Sequence, residues 1–192
     1  MSHWEMRMTF RALLIAVVLA LGAAAPNLAQ QPAPSREPDV VFVPTPPDVV
    51  DAMLKLAKVT QSDVVYDLGS GDGRILIAAA KTYGARGVGI DIDPERVREA
   101  TANARANNVA DKVTFRREDL FLADISPATV VTLYLSPSVN SRLAPKLMME
   151  LKPGTRIVSH AFDFGSWKPQ QRITVSGRPI FFWTIAPPRG TR

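Results

Sequence analysis

No cysteine occurs in the 192 residues of this chain, and histidine occurs only at His3 and His160. The first absence excludes a thiolate nucleophile, a zinc–cysteine site and a disulfide framework, and the second leaves too few ligands for histidine-rich metal chemistry. No metal site is expected. A block of like charge is missing as well. The formal charge of +5 arises from Lys and Arg residues scattered along the chain, which reads as ordinary solvation and gives no footprint for a nucleic acid.

Long apolar runs are also scarce. The run from Ala12 to Ala25 is short for a membrane span, which needs about 20 residues. Arg7 and Arg11 precede it, and Pro26-Asn27-Leu28-Ala29-Gln30-Gln31 follows, giving the n-region, h-region and cleavage zone of a secretory signal. Residues 1–29 are therefore assigned to a signal peptide, with an uncleaved membrane anchor as the alternative. Either one places the remainder outside the cytoplasm, on the periplasmic side in a bacterium; a cytoplasmic protein follows if the segment is not a functional signal. Pro32, Pro34, Pro38, Pro44, Pro46 and Pro47 make residues 30–47 an extended linker and lead-in. Residues 48–188 form one domain, and 46% hydrophobic content in the whole chain supports a sizeable core.

The most informative stretch is Val64-Val65-Tyr66-Asp67-Leu68-Gly69-Ser70-Gly71-Asp72-Gly73-Arg74, an apolar strand that ends in an acid and three alternating glycines. Such glycines let the backbone turn sharply and approach a ligand closely before a helix begins. The dinucleotide fingerprint G-x-G-x-x-G is not met, because Arg74 and Leu76 stand where the last glycine is needed. A carboxylate at Asp67 repels a pyrophosphate and attracts an ammonium group. The ligand expected here carries positive charge.

Beyond Val40, β-like runs alternate with helical ones, the pattern of a mostly parallel sheet covered by helices on both faces. Val49, Val50, Met53, Leu54 and Ala57 share one face of a first helix. Strands are expected at Val64–Asp67, Gly87–Ile90, Val113–Arg116, Thr129–Leu135 and Arg156–Ser159. Helices are expected from Arg74 to Tyr83, after Asp93-Pro94, and from Asn140 to Leu151, where Pro145 predicts a kink or restart. Arg172–Ser176 and Pro179–Ile185 read as a closing hairpin across Gly177-Arg178.

Three acids, Asp67, Asp91 and Asp119, fall at the carboxyl ends of successive strands, where open α/β sheets bind ligands. Asp91 follows Gly73 at the spacing of an acid that accepts from ribose hydroxyls; Asp93 competes, but suits a helix cap better. Asp119, with Glu118 as its competitor, is placed to accept from an adenine amino group. A ligand with an ammonium, a ribose and an adenine, and no phosphate, is S-adenosyl-L-methionine. The cofactor-binding set is Asp67, Gly69, Ser70, Gly71, Gly73, Asp91, Asp119 and Leu120, with Thr45 either reaching the cofactor carboxylate or capping the first helix.

Asp67-Leu68-Gly69-Ser70-Gly71-Asp72-Gly73 resembles the first motif of the class I S-adenosylmethionine-dependent methyltransferases, and Gly87-Val88-Gly89-Ile90-Asp91 resembles their second. The resemblance implies a Rossmann-like fold with a seven-stranded sheet and an antiparallel last strand. Phe42-Val43-Pro44-Thr45-Pro46 and Leu151-Lys152-Pro153-Gly154-Thr155-Arg156 are similar to small prokaryotic relatives of mitochondrial protein-lysine methyltransferases. That similarity implies a protein lysine as acceptor, carried by a membrane protein. A small-molecule or lipid-linked acceptor is the alternative, and a non-catalytic cofactor-binding module a third reading.

The acceptor side carries less signal. Leu135-Ser136-Pro137-Ser138 lacks the second proline and the aromatic residue of the Asn/Asp-Pro-Pro-aromatic motif, which disfavours methylation of planar nitrogen. Tyr134, Ser136 and Asn140 stand at the strand end that lines an acceptor wall. His160 either takes a proton or packs at the sheet edge, and Phe162 and Trp167 either shape a channel or pack beneath the hairpin.

Overall fold

The computed structural model describes residues 37–187, so the signal or anchor assigned to residues 1–29 lies outside the described residues. The elements in chain order are α1 (Pro47–Leu56), β1 (Val64–Leu68), α2 (Arg74–Tyr83), β2 (Arg86–Asp91), α3 (Pro94–Ala106), β3 (Val113–Arg117), β4 (Val130–Leu133), α4 (Pro137–Glu150), β5 (Arg156–His160), β6 (Gln171–Val175) and β7 (Arg178–Thr184). They build one seven-stranded sheet in the order β3-β2-β1-β4-β5-β7-β6. β1 pairs in parallel with β2 on one side and β4 on the other, while β7 runs antiparallel to both β5 and β6. The strand order reverses beside β1, which opens a crevice at its carboxyl end.

Strand residues alternate between two halves of the core. Val65, Val130 and Val158 pack with residues of α1, α2 and α3, whereas Tyr66, Leu68, Leu133 and Ile157 pack beneath α4. Helices do cover both faces, but three lie on one and one on the other. Between β3 and β4 the second face is closed by non-helical chain, through buried Ala123, Ile125 and Ala128. Asp119 and Asp124 fold that segment into turns, each accepting a backbone N–H two residues on, at 2.9 and 3.0 Å.

Most strand ends lie within a residue of expectation, and the larger or explained departures are in β4, α4 and the hairpin. β4 ends at Leu133, which releases Tyr134 and Leu135 from the ladder. α4 begins a turn early, at Pro137, because the Ser136 hydroxyl caps it by accepting from the Val139 N–H at 3.4 Å. It continues through Pro145 without a restart, held by Leu143, Ala144 and Leu147, which are buried on both sides of the proline. The hairpin turns at Ser176-Gly177, one residue earlier than read, since these two adopt φ of 48° and 77°. A two-residue type I′ turn demands positive φ at both central positions. Trp167 packs in a cluster with Phe164 and Trp183, and the Trp183 indole N–H donates to its carbonyl at 3.0 Å. That is the packing alternative.

Candidate active site

A cavity of about 580 Å³ opens at the carboxyl ends of β1, β2 and β4, and Asp67, Gly69, Ser70, Asp91, Asp119, Leu120 and Thr45 all line it. Its size is that of a site for a small organic cofactor. Asp72, Arg74, Ile75, Ile92, Asp93, Arg96, Tyr134, Leu135 and Val139 complete the wall together with residues 37–44. The lead-in read as a linker is therefore extended but part of the site.

The glycine loop is shaped by its own backbone. The N–H groups of Gly69 and Ser70 both donate to the Ile90 carbonyl, at 2.8 and 3.1 Å, tying the loop to β2. Gly71 sits at φ +51°, and a Cβ added there would lie 2.3 Å from the Phe42 ring. Glycine thus lets the lead-in rest directly on the loop. Gly71 and Gly73 shape the loop without lining the cavity.

Asp91 holds this loop at its free side. Its Oδ2 accepts from the Gly71 N–H at 2.8 Å and its Oδ1 from the Asp93 N–H at 3.0 Å. Burial pushes its carboxyl above the ordinary range. Asp93, also on the wall, caps α3 by accepting from the Glu95 N–H at 2.8 Å. Glu118 is turned outward toward Arg116, at 3.9 Å, and does not line the cavity.

Two buried acids on the same strand region behave in opposite ways. Asp63, 4% exposed, accepts from the Thr129 hydroxyl at 2.7 Å and the Thr60 N–H at 2.8 Å, and pairs with Arg156. Burial raises its carboxyl, but these partners outweigh burial and hold it below the usual range. Asp67, 2% exposed, accepts from the Thr132 hydroxyl at 2.8 Å. Burial first, then the neighbouring carboxyls of Asp91 and Asp72, push it up to about 7. A buried acid raised in this way and facing a cavity marks a candidate ligand-binding group. The Ser70 hydroxyl beside it is buried and has no hydrogen-bond partner.

The arginine of the glycine run was not singled out from sequence. Arg74 grips Asp72 through Nε at 3.0 Å and Nη2 at 2.5 Å, while its Nη1 donates to the Thr45 carbonyl at 3.0 Å. Asp39 pairs with Arg142 at 3.5 Å, and the Arg96 guanidinium lies 5.0 Å over the Phe42 ring. The lead-in is thus tied to α2, α3 and α4. Thr45 does not cap α1, whose cap Pro46 offers no side-chain acceptor; its hydroxyl lies 3.2 Å from His160 Nδ1.

The acceptor-side candidates separate. Tyr134 is on the wall; Ser136 and Asn140 are not. Ser136 is used as the cap of α4, and Asn140, fully buried, donates to the carbonyls of Phe162 and Asp163 at 3.0 and 3.2 Å. His160 stands behind the wall, its ring 3.9 Å from that of Tyr134. The Phe162 ring also stacks with Tyr134, at 6.4 Å.

The sheet order, the crevice beside β1 and the acid-lined cavity are those of a class I S-adenosylmethionine-dependent methyltransferase. The crystal structure of an RNA methyltransferase from Salinibacter ruber in complex with S-adenosyl-L-homocysteine aligns with a TM-score of 0.74 and 58% identity, covering 77% of this chain and 98% of that one. The family profile of the ANTKMT methyltransferase domain matches residues 67–171, and the chain belongs to that family. A protein-lysine N-methyltransferase of Saccharolobus islandicus is 52% identical over 142 residues, 73% of this chain and 88% of that protein. The adenine nucleotide translocase lysine N-methyltransferase of Mus musculus is 35% identical over 105 residues, 55% of this chain and 46% of that protein. S-adenosyl-L-methionine is the cofactor of this enzyme.

Proposed function

We propose that this methyltransferase modifies the side-chain amine of a protein lysine. The observation that carries the reading is the charge of the cavity. Seven acids line it, Glu37, Asp39, Asp67, Asp72, Asp91, Asp93 and Asp119, against the two arginines Arg74 and Arg96, and although Asp72 pairs with Arg74 and Asp39 with Arg142, acids outnumber cations on the wall of a chain whose net charge is +5. Such a concave acidic surface gathers cations. It suits an ammonium side chain and opposes the phosphates of RNA, which bind through Lys and Arg. The names borne by the Saccharolobus and Mus relatives support the same acceptor, while the Salinibacter protein's name points to RNA.

The residues present fit the donor. Asp67 would face its ammonium group, Asp91 would accept from the ribose hydroxyls, and Asp119 and Leu120 would hold the adenine, all four on the cavity wall. When bound, S-adenosyl-L-methionine supplies a methyl group already activated on a sulfonium. The chain's part is to align the acceptor, exclude water and keep the lysine lone pair free. Tyr134, Leu135 and Val139 give that amine an apolar wall, where burial favours its neutral form. His160 does not line the cavity and is poorly suited to act as the base. Burial, then the charge of Arg178, pushes it down to about 4, too weak to hold a lysine proton.

The expected result of incubating the enzyme with methyl-labelled donor and membrane extract is label in protein bands; label confined to small molecules contradicts the reading. We propose further that the lysine is carried by a membrane protein and that residues 1–29 export or anchor the enzyme. The membrane-protein acceptor rests on the family resemblance alone, and the export or anchor reading on the apolar run behind Arg7 and Arg11. Among the described residues no helix is long and apolar enough to cross a membrane.

A further inference from the structure

His160 joins two parts of the site without lining it. Thr45 Oγ1 lies 3.2 Å from its Nδ1, and the Tyr134 ring lies 3.9 Å from its ring, tilted by 40°. The residue is 1% exposed and Thr45 4%, so this contact is shielded from water. Thr45 and Tyr134 both line the cavity. Through its carbonyl, Thr45 also accepts from Arg74, which grips Asp72 in the glycine loop. A continuous series of contacts, Asp72 to Arg74 to Thr45 to His160 to Tyr134, therefore runs from the donor loop to the acceptor wall. It passes through the lead-in segment.

Such a series matters because methyl transfer is sensitive to alignment, and a wall misplaced by about 1 Å costs on the order of a hundredfold in rate. Burial keeps the imidazole uncharged at neutral pH. A cation behind Tyr134 would repel both the acceptor amine and the sulfonium. A neutral ring supports the wall without that penalty.

We propose that His160 is a positioning residue for methyl transfer, fixing Tyr134 against the acceptor when Thr45 docks the lead-in segment. The proposal rests on Tyr134 being the acceptor wall. Its signature is a loss in kcat shared by both partners of the Thr45–His160 contact, because removing either one removes the same contact.

The test is a double-mutant cycle on the full chain. His160→Phe keeps an aromatic ring against Tyr134 and removes Nδ1, while Thr45→Val keeps the shape and removes the hydroxyl. Each is expected to lower kcat about tenfold, the effect of one lost hydrogen bond, with donor affinity by calorimetry moving less than kcat. The double variant is expected to be no slower than the slower single variant, and Thr45→Ser to recover the rate. Single variants with unchanged kcat, losses that multiply in the double variant, or no recovery in Thr45→Ser would overturn the proposal. The rate is read on whichever fraction accepts label. Label in RNA thus overturns the lysine reading and leaves this comparison intact.

Discussion

Asp91→Ala is expected to weaken binding of S-adenosyl-L-methionine by about a hundredfold, measured by calorimetry. That figure follows from removing charge-assisted hydrogen bonds worth about 1.5–3 kcal/mol each. Two losses combine. The donor's ribose hydroxyls would lose the acceptor proposed for them, and the Gly71 and Asp93 N–H groups lose the oxygens that now hold them at 2.8 and 3.0 Å. Gly71 carries the surface on which Phe42 rests, so the lead-in loosens with the loop. Asp91→Asn separates the two effects, since its single carbonyl can keep one N–H satisfied; it is expected to bind between wild type and Asp91→Ala. Donor affinity unchanged in Asp91→Ala would place the ribose elsewhere.

The second large effect is a pH dependence of donor binding set by Asp67. Its carboxyl is pushed up to about 7 in the unliganded enzyme, whereas an ammonium group beside it favours the carboxylate. Donor binding at acidic pH must therefore displace a proton. Affinity falls as pH drops through 7, and by linkage it is about twentyfold weaker at pH 5.5 than at pH 7.5. Calorimetry in buffers of different ionisation enthalpy reads the released proton directly. Asp67→Asn is expected to bind weakly at all pH values, with the dependence gone. The stability of the unliganded fold has the opposite sign. Its folded value lies above the ordinary 3.8, so the folded form binds the proton more tightly than the unfolded chain. That contribution is fully present below 3.8 and is lost as pH rises through about 7. A stabilised fold and a weakened donor at pH 5.5 together identify Asp67 as the cation-facing acid.

Most of the sheet was legible because its signals are local. Gly84 marks the end of α2, Asp93-Pro94 the start of α3, and the apolar face of Val49, Val50, Met53 and Leu54 the span of α1. Boundaries moved where the deciding contact was distant or stereochemical. Buried Leu143 and Leu147 carry α4 across Pro145, and the two positive φ values at Ser176-Gly177 set the hairpin.

Three acids of the cavity wall were legible for the same reason, since Asp67 and Asp91 stand at the carboxyl ends of β1 and β2 and Asp119 just beyond β3. The roles of Arg74 and the lead-in were hidden, because both depend on contacts between segments 29 residues apart in sequence. Phe42 was visible only as part of a family-like stretch, and nothing in Val41-Phe42-Val43 announces a ring seated on Gly71. On the acceptor side, strand-end position grouped Tyr134, Ser136 and Asn140. Only folding separates a wall residue from a helix cap and a loop anchor.

The measurement that bears most directly on the central claim is amino-acid analysis of the labelled acceptor. Enzyme, methyl-labelled S-adenosyl-L-methionine and membrane extract are combined, protein and RNA are separated, and each fraction is hydrolysed. An acidic cavity with an apolar amine wall predicts label recovered as N-methylated lysine from protein. Label released as methylated nucleosides from RNA, with none in lysine, would contradict it.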